Sequence, residues 1–351
     1  MRRLRRLVLI PIAAVLLLVV AVALAELIAR SEPVTIRPTT TADYVQLQAD
    51  ERLFTLFAAL NAAGYDEENN AQGMSPVRQQ VRAELAGKSL SSLAGLQPYF
   101  SVCRLIHISQ CATWILQRGP VPDFVRAVDG WWLSVPAFPF LGFDRNLRAF
   151  YLEADIAGLW HKYRPAYEAE VARYQTLAAP AIDRVFTYLT IERPATDGVR
   201  VLPNLLDAYW RGYGPRVGNL AYIVMGPALD PNIGLIQHEA MHPLLNDLID
   251  AHLAVIDSRQ SDRLFTALKP RVSAGYQTWP NIVHENVIRA VEVRLAAPGE
   301  RERIIQREEG DGFLLVRPLA ERLADFEQSG QSITAYMPTL LVALNDDLLL
   351  R

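Results

Sequence analysis

Cysteine is nearly missing from this chain: Cys103 and Cys111 are the only two in 351 residues. That excludes a cysteine-based zinc framework and a covalent haem motif, which need more thiols or different spacing. The pair lies eight positions apart in VCRLIHISQC. Outside the cytoplasm it would close a small disulfide loop; otherwise it reads as two buried thiols. Internal repeats and low-complexity tracts are also missing. So is an excess of positive charge, with 35 Lys and Arg against 38 Asp and Glu and a net charge of -3. Setting aside Arg2, Arg3, Arg5 and Arg6 removes four positive charges and takes that value to -7. An acidic body of this kind argues against nucleic acid as a partner.

What is present begins with the amino terminus. MRRLRR is followed by an uncharged run from Leu7 to Ala25, with small residues in AVALA. The pattern is that of an export signal, cleaved after Ala25 or retained as a transmembrane anchor with the arginines on the cytoplasmic side. Residues 1–30 are assigned to this segment, and the body is expected outside the cytoplasm, in the cell envelope.

The remaining length suits one large domain or two modest ones. Residues 31–190 read as a helical N-terminal part. After a short extended segment, Leu53, Phe54, Leu56, Phe57 and Leu60 recur at helical spacing. Ser75 and Pro76 open another helix as cap and first residue. Residues 95–143 read as short helices and loops, where Trp131 and Trp132 either line a groove or pack in a core. Two long helical patterns fill 144–189. Residues 191–351 form the second part. Glycine and proline punctuation around LAYIVM suggests strands between 197 and 226, and helices follow to the C-terminus. LAYIVM is either an edge strand that accepts an extended peptide or a strand buried in the core. The expected fold class is α+β, mostly helical, with one small mixed or antiparallel sheet just before the helix that carries the histidine motif.

That motif is GLIQHEAMHPLLNDLI, which holds three of the chemistry-bearing residues within five positions. On a helix starting near Asp230-Pro231, His238 and His242 share one face four residues apart and can aim two imidazole nitrogens at one point. Glu239 is turned by about 100° and can address a water on a metal without binding the metal. Two neutral imidazoles suit Zn²⁺, and catalytic zinc takes three protein ligands and leaves a place for water. Pro243 works against this pattern, because a proline inside a helix costs about 3 kcal/mol and here crowds the carbonyl of Glu239. Either the helix kinks at the site or it ends near His242.

A third ligand is sought in NIVHENVIRAVEVRL. At helical spacing Glu285, Arg289 and Glu292 form one charged face, while His284 lies in the apolar stripe. A carboxylate face turned toward a cation has a physical reason to be half-buried. Glu285 is therefore favoured as ligand over His284, with Glu292 supporting a ligand or pairing with Arg289. Tyr276 and Arg289 are candidate donors to an oxyanion. Asn246 and Asp247 are candidates to orient a histidine. His107, His161 and His252 lie at no ligand spacing and read as structural or surface residues.

HEAMH followed 43 residues after His242 by ENVIRAVE resembles the gluzincin group of zinc metallopeptidases. More closely it resembles a family of exported bacterial HExxH proteins catalogued as a domain of unknown function, in which a helix like LNAAGYDEENN comes before the motif. The resemblance spans roughly residues 45–300. It implies a zincin-like body, His238, His242 and Glu285 as zinc ligands, and Glu239 as general base. It departs from the pattern at Pro243 and in the longer spacing to the third ligand. The expectation is an exported, membrane-anchored zinc metallopeptidase acting on a peptide or protein. Two other classes compete with it: a non-catalytic envelope protein that binds a partner through a peptidase-like body, and a zinc amidase acting on cell-wall amide bonds. The sequence leaves the oligomeric state open.

Overall fold

A computed structural model describes residues 20, 44–67, 70–127, 138–193, 198–272, 276 and 278–345. The first helix, α1 (Glu51–Ala62), begins where the Asp50 carboxylate accepts the N–H groups of Arg52 and Leu53. It buries Leu53, Phe54, Leu56, Phe57 and Leu60 as their spacing predicts, each side chain worth about 1.5–3 kcal/mol. In α2 (Pro76–Ala86), Ser75 caps the helix and Pro76 occupies its first turn. A disulfide between Cys103 and Cys111 ties α3 (Ser92–Ile106) to α4 (Ile108–Leu116) across His107. Trp131 and Trp132 lie outside the described residues.

The two long helical patterns expected over 144–189 are in fact three helices: α5 (Phe143–Glu153), α6 (Ile156–Tyr174) and α7 (Ala178–Leu189). Asp155 takes a left-handed conformation, and its side chain caps α6 through the Gly158 N–H. This places the first break inside the first pattern. Pro165 lies inside α6 without ending it.

The sheet is mixed. The strand β1 (Val45–Leu47) pairs parallel with β2 (Gly198–Pro203), Val45 opposite Val199. Two short strands follow, β3 (Gly212–Tyr213) and β4 (Arg216–Val217), and then β5 (Leu220–Met225). β5 runs parallel to β2 on one side and antiparallel to β3 and β4 on the other. LAYIVM is therefore an interior strand and not an edge. Five of its six residues are buried, which explains its nearly continuous apolar run. The edge on this side belongs to β3 and β4.

Six α-helices follow among the described residues: α8 (Ile233–His252), α9 (Ser258–Leu268), α10 (Trp279–Leu295), α11 (Arg301–Gly310), α12 (Val316–Ser329) and α13 (Ile333–Val342). One core joins α1–α6 to the end of β2, the loop after it and residues of β3, β4 and β5. A second lies among α8–α13. A third packs Ile236 and Ala240 of α8 against Val199, Val201, Ile223 and Met225 of the sheet. The molecule is thus mostly helical with a small mixed sheet backing α8, an α+β arrangement.

The expected transmembrane helix must be corrected. Among the described residues no helix is long and apolar enough to cross a membrane. α8 has 20 residues, but it carries Glu239, Asp247, Asp250 and three histidines. The segment Leu7–Ala25, Val20 apart, lies outside the described residues, as does the Ala25 cleavage position.

Candidate metal centre

α8 begins at Asn232, whose side chain accepts the Leu235 N–H at 3.0 Å. This is two residues later than the Asp230 start expected from the sequence. The helix then continues through Pro243 to His252, so it neither ends at His242 nor loses the face the motif needs. His238 and His242 stand one turn apart with ring centroids separated by 5.1 Å. α10 begins at Thr278, whose hydroxyl accepts the Asn281 N–H. It packs between α8 and α12 and is buried along most of its length. Its charged face turns to α8, bringing Glu285 and Glu292 onto the two imidazoles.

Glu285 Oε2 lies 3.6 Å from His238 Nε2, and Glu285 Oε1 lies 3.5 Å from His242 Nε2. Bonds of ~2.0–2.1 Å in a tetrahedral zinc site would separate ligand atoms by about 3.4 Å. The opposite ring nitrogens have oxygen partners of their own. His238 Nδ1 is 3.3 Å from Glu292 Oε1, and His242 Nδ1 is 3.4 Å from Asn246 Oδ1. A hydrogen on each Nδ1 alone, the tautomer that metal binding requires, would turn both Nε2 lone pairs toward Glu285. Glu285 Oε2 is buried and has no hydrogen-bond partner among the described residues. Candidate ligand atoms of His238, Glu239 and His242 lie within 4.8 Å of one another, and the group could hold a metal ion.

The charges around the site act unequally on its two imidazoles and two carboxyls. Burial opposes a charge on His238, but Glu292 and Glu285 outweigh it and raise its pKa to about 10. Burial lowers His242 to about 4 despite Glu285. Glu239 is pushed up to about 7, first by burial and then by Glu285 and Glu292, with His238 acting against them. Burial would raise Glu285 as well, yet His238, His242 and Arg289 hold it below the usual carboxylate range.

The other expected residues fall into distinct places. Arg289 Nε is 3.3 Å from Glu285 Oε2, and its Nη1 donates to Glu308 Oε2 at 2.6 Å. Its guanidinium lies 4.0 Å from the centre of the Phe313 ring. So placed, Arg289 links Glu285 to Glu308 and Phe313. Tyr276 packs edge-on against the same Phe313, and burial followed by Glu285 raises its pKa. His284 turns away and pairs with Asp250, Nε2 to Oδ1 at 2.8 Å, so it takes the structural role. Of the two residues after the motif, Asn246 meets His242, whereas Asp247 is exposed. His107 caps α4 and lies against Tyr213; His161 is exposed on α6, and His252 ends α8.

Two features escaped the sequence reading. Glu308 is 2% exposed and comes from α11, with only a charge-rich RERIIQREEG around it as a signal. Gly212 and Gly214 flank Tyr213 at the sheet edge and lie against Glu239. Their G-x-G spacing reads in the sequence as turn punctuation.

A family model described as a domain of unknown function, DUF4932, matches residues 216–343. The matched stretch holds His238, Glu239, His242, Glu285 and Glu308 but not residues 60–70, which the resemblance had included. No curated protein matches the chain, and no solved structure does.

Proposed function

We propose that this protein is a zinc-dependent hydrolase of peptide bonds, with His238, His242 and Glu285 holding the metal and Glu239 moving protons. The observation that carries the reading is the convergence of both Nε2 atoms on the two Glu285 oxygens at 3.5–3.6 Å, closer than the 3.9 Å between His242 Nε2 and Glu239 Oε2. When bound, the ion supplies an acidified water and a Lewis acid for the substrate carbonyl. Glu239, 5% exposed, takes a proton on its carboxylate and delivers it to the leaving amine. Glu292 and Asn246 fix the tautomer and orientation of the two imidazoles. Arg289, locked by Glu308, holds Glu285 ionised in a buried place. Tyr276 is the remaining donor for the oxyanion, its hydroxyl kept neutral by burial.

A peptide is favoured as substrate because β3, an edge strand, passes beside Glu239 and offers backbone to an extended chain. The body works outside the cytoplasm in this reading, supported by the Cys103–Cys111 disulfide.

Metal analysis and a peptide-library assay of the purified protein test the proposal. One zinc per chain is expected, lost in His238→Ala. Glu239→Gln should keep the metal and lose hydrolysis by about 10²–10⁴-fold. Undiminished turnover would remove Glu239 from its role. A folded protein that holds no zinc and cleaves no peptide would favour the non-catalytic reading.

A further inference from the structure

Pro243 has no part in the ligand set, yet it occupies the position where α8 can least accept a proline. It has no N–H to give to the carbonyl four residues back, and its ring crowds that carbonyl. The carbonyl is that of Glu239, the one acid of HEAMH assigned to protons and not to metal. α8 nevertheless runs unbroken through this point.

What meets the carbonyl comes from the sheet edge. A methyl group at the Cβ position of Gly214 would stand 2.3 Å from the Glu239 carbonyl oxygen and 3.1 Å from its Oε2. One at Gly212 would stand 2.5 Å from Glu239 Oε1 and 2.5 Å from Leu235 Cδ1. The edge therefore rests on both the backbone and the carboxylate of Glu239, with room only for hydrogen between them. Neither glycine has a positive φ, so proximity and not backbone freedom is what requires glycine here. The α-hydrogen of Gly214 in the Cβ direction points at a carbonyl that cannot receive its usual helix amide, a weak C–H···O contact that offsets part of the loss.

We propose that Pro243, Gly214 and Gly212 are positioning residues for Glu239: the proline withholds the helix amide from its carbonyl, and the two glycines let the sheet edge seat on that carbonyl and brace the carboxylate. Glu239 is thereby held by two elements, one carrying it and one pressing on it, while the metal ligands are untouched. The positioning role rests on the proposed function of Glu239; the contact between Pro243, Gly214 and the carbonyl does not.

The test uses Pro243→Ala, Gly214→Ala, their double variant and Gly212→Ala. It reads the urea midpoint, zinc affinity by chelator competition, and kcat and KM on a peptide cleaved by the wild type. Pro243→Ala restores the amide, so its urea midpoint should equal or exceed the wild-type value. Its kcat should drop about tenfold or more with KM nearly constant, and its zinc affinity should stay within about threefold because no ligand or partner of a ligand changes. Gly214→Ala should lower the midpoint less in the Pro243→Ala background than in the wild type, since both act on one carbonyl. Gly212→Ala, which meets the ends of the Glu239 and Leu235 side chains and no backbone, should fold and show the same selective loss of kcat. If Gly214→Ala fails to fold, Gly212→Ala carries the positioning test. A folded Pro243→Ala with unchanged kcat, or strictly additive midpoints, would overturn the proposal. A wild type without zinc or turnover would instead defeat the proposed function, and the midpoint cycle would still decide the contact.

Discussion

Asp207, under the N-terminal helices, and Glu285, between α8 and α10, are both buried carboxylates, yet they titrate in opposite directions. Asp207 accepts the Tyr65 hydroxyl and the Ala208 N–H, each at 2.7 Å on Oδ1. Burial outweighs these bonds and the charge of Arg211, pushing its carboxyl up to about 6. Glu285 suffers the same burial but faces His238, His242 and Arg289, which hold it down. Neutral donors thus leave a buried acid eager for a proton, whereas the cations beside Glu285, His238 and Arg289, keep it an anion. The N-terminal region buries its acid as a structural hydrogen-bond acceptor. The C-terminal region maintains a buried anion and points it at two imidazole nitrogens, an arrangement in which the proposed divalent cation has a place.

The comparison can be broken most forcefully at Glu308. Glu308→Gln leaves Arg289 half of its ionic support in a largely buried place. It should lower unfolding stability by about 3 kcal/mol, measured by urea denaturation, and weaken zinc binding alongside. A variant indistinguishable from wild type in both would mean that Glu285 does not depend on the Arg289–Glu308 pair.

Asp207→Asn sharpens the other side. A raised carboxyl pKa means that the folded state holds the proton more tightly than the unfolded one. The resulting stability is fully present below about pH 4 and is lost as pH rises through about 6, up to about 3 kcal/mol. The Asn variant should lack this slope, so its stability advantage over wild type should grow between pH 4 and 7. Parallel pH profiles of the two proteins would count against a raised Asp207. The smallest effect is expected at Asn246. Asn246→Ala frees His242 Nδ1 and should cost about 10–100-fold in zinc affinity with little change in the urea midpoint. Unaltered affinity would show that His242 is oriented by something else.

How much of this was legible depended on whether the partners were local. His238 and His242 declared themselves because four residues make about one helical turn, and Glu285 because it breaks an otherwise apolar helix together with Arg289 and Glu292. The cap at Ser75 and the α1 core followed from residues within one turn. LAYIVM was ambiguous because an edge and a doubly buried strand can share the same apolar run; only β2 on its far side decides. The break at Asp155 depends on one left-handed residue in a helical pattern. Glu308 and the two glycines were hidden because their partners, Arg289 and Glu239, come from other elements, and nothing local distinguishes a buried glutamate from the solvated ones around it.

The central claim is that a divalent ion is held by His238, His242 and Glu285. X-ray absorption at the zinc edge on the purified, zinc-loaded protein tests it most directly. Two imidazole nitrogens and oxygen ligands at ~2.0–2.1 Å are predicted, with one nitrogen shell contribution lost in His242→Ala and the oxygen shell altered in Glu285→Ala. A spectrum of hydrated zinc without imidazole scattering, or one that both substitutions leave unchanged, would contradict the account.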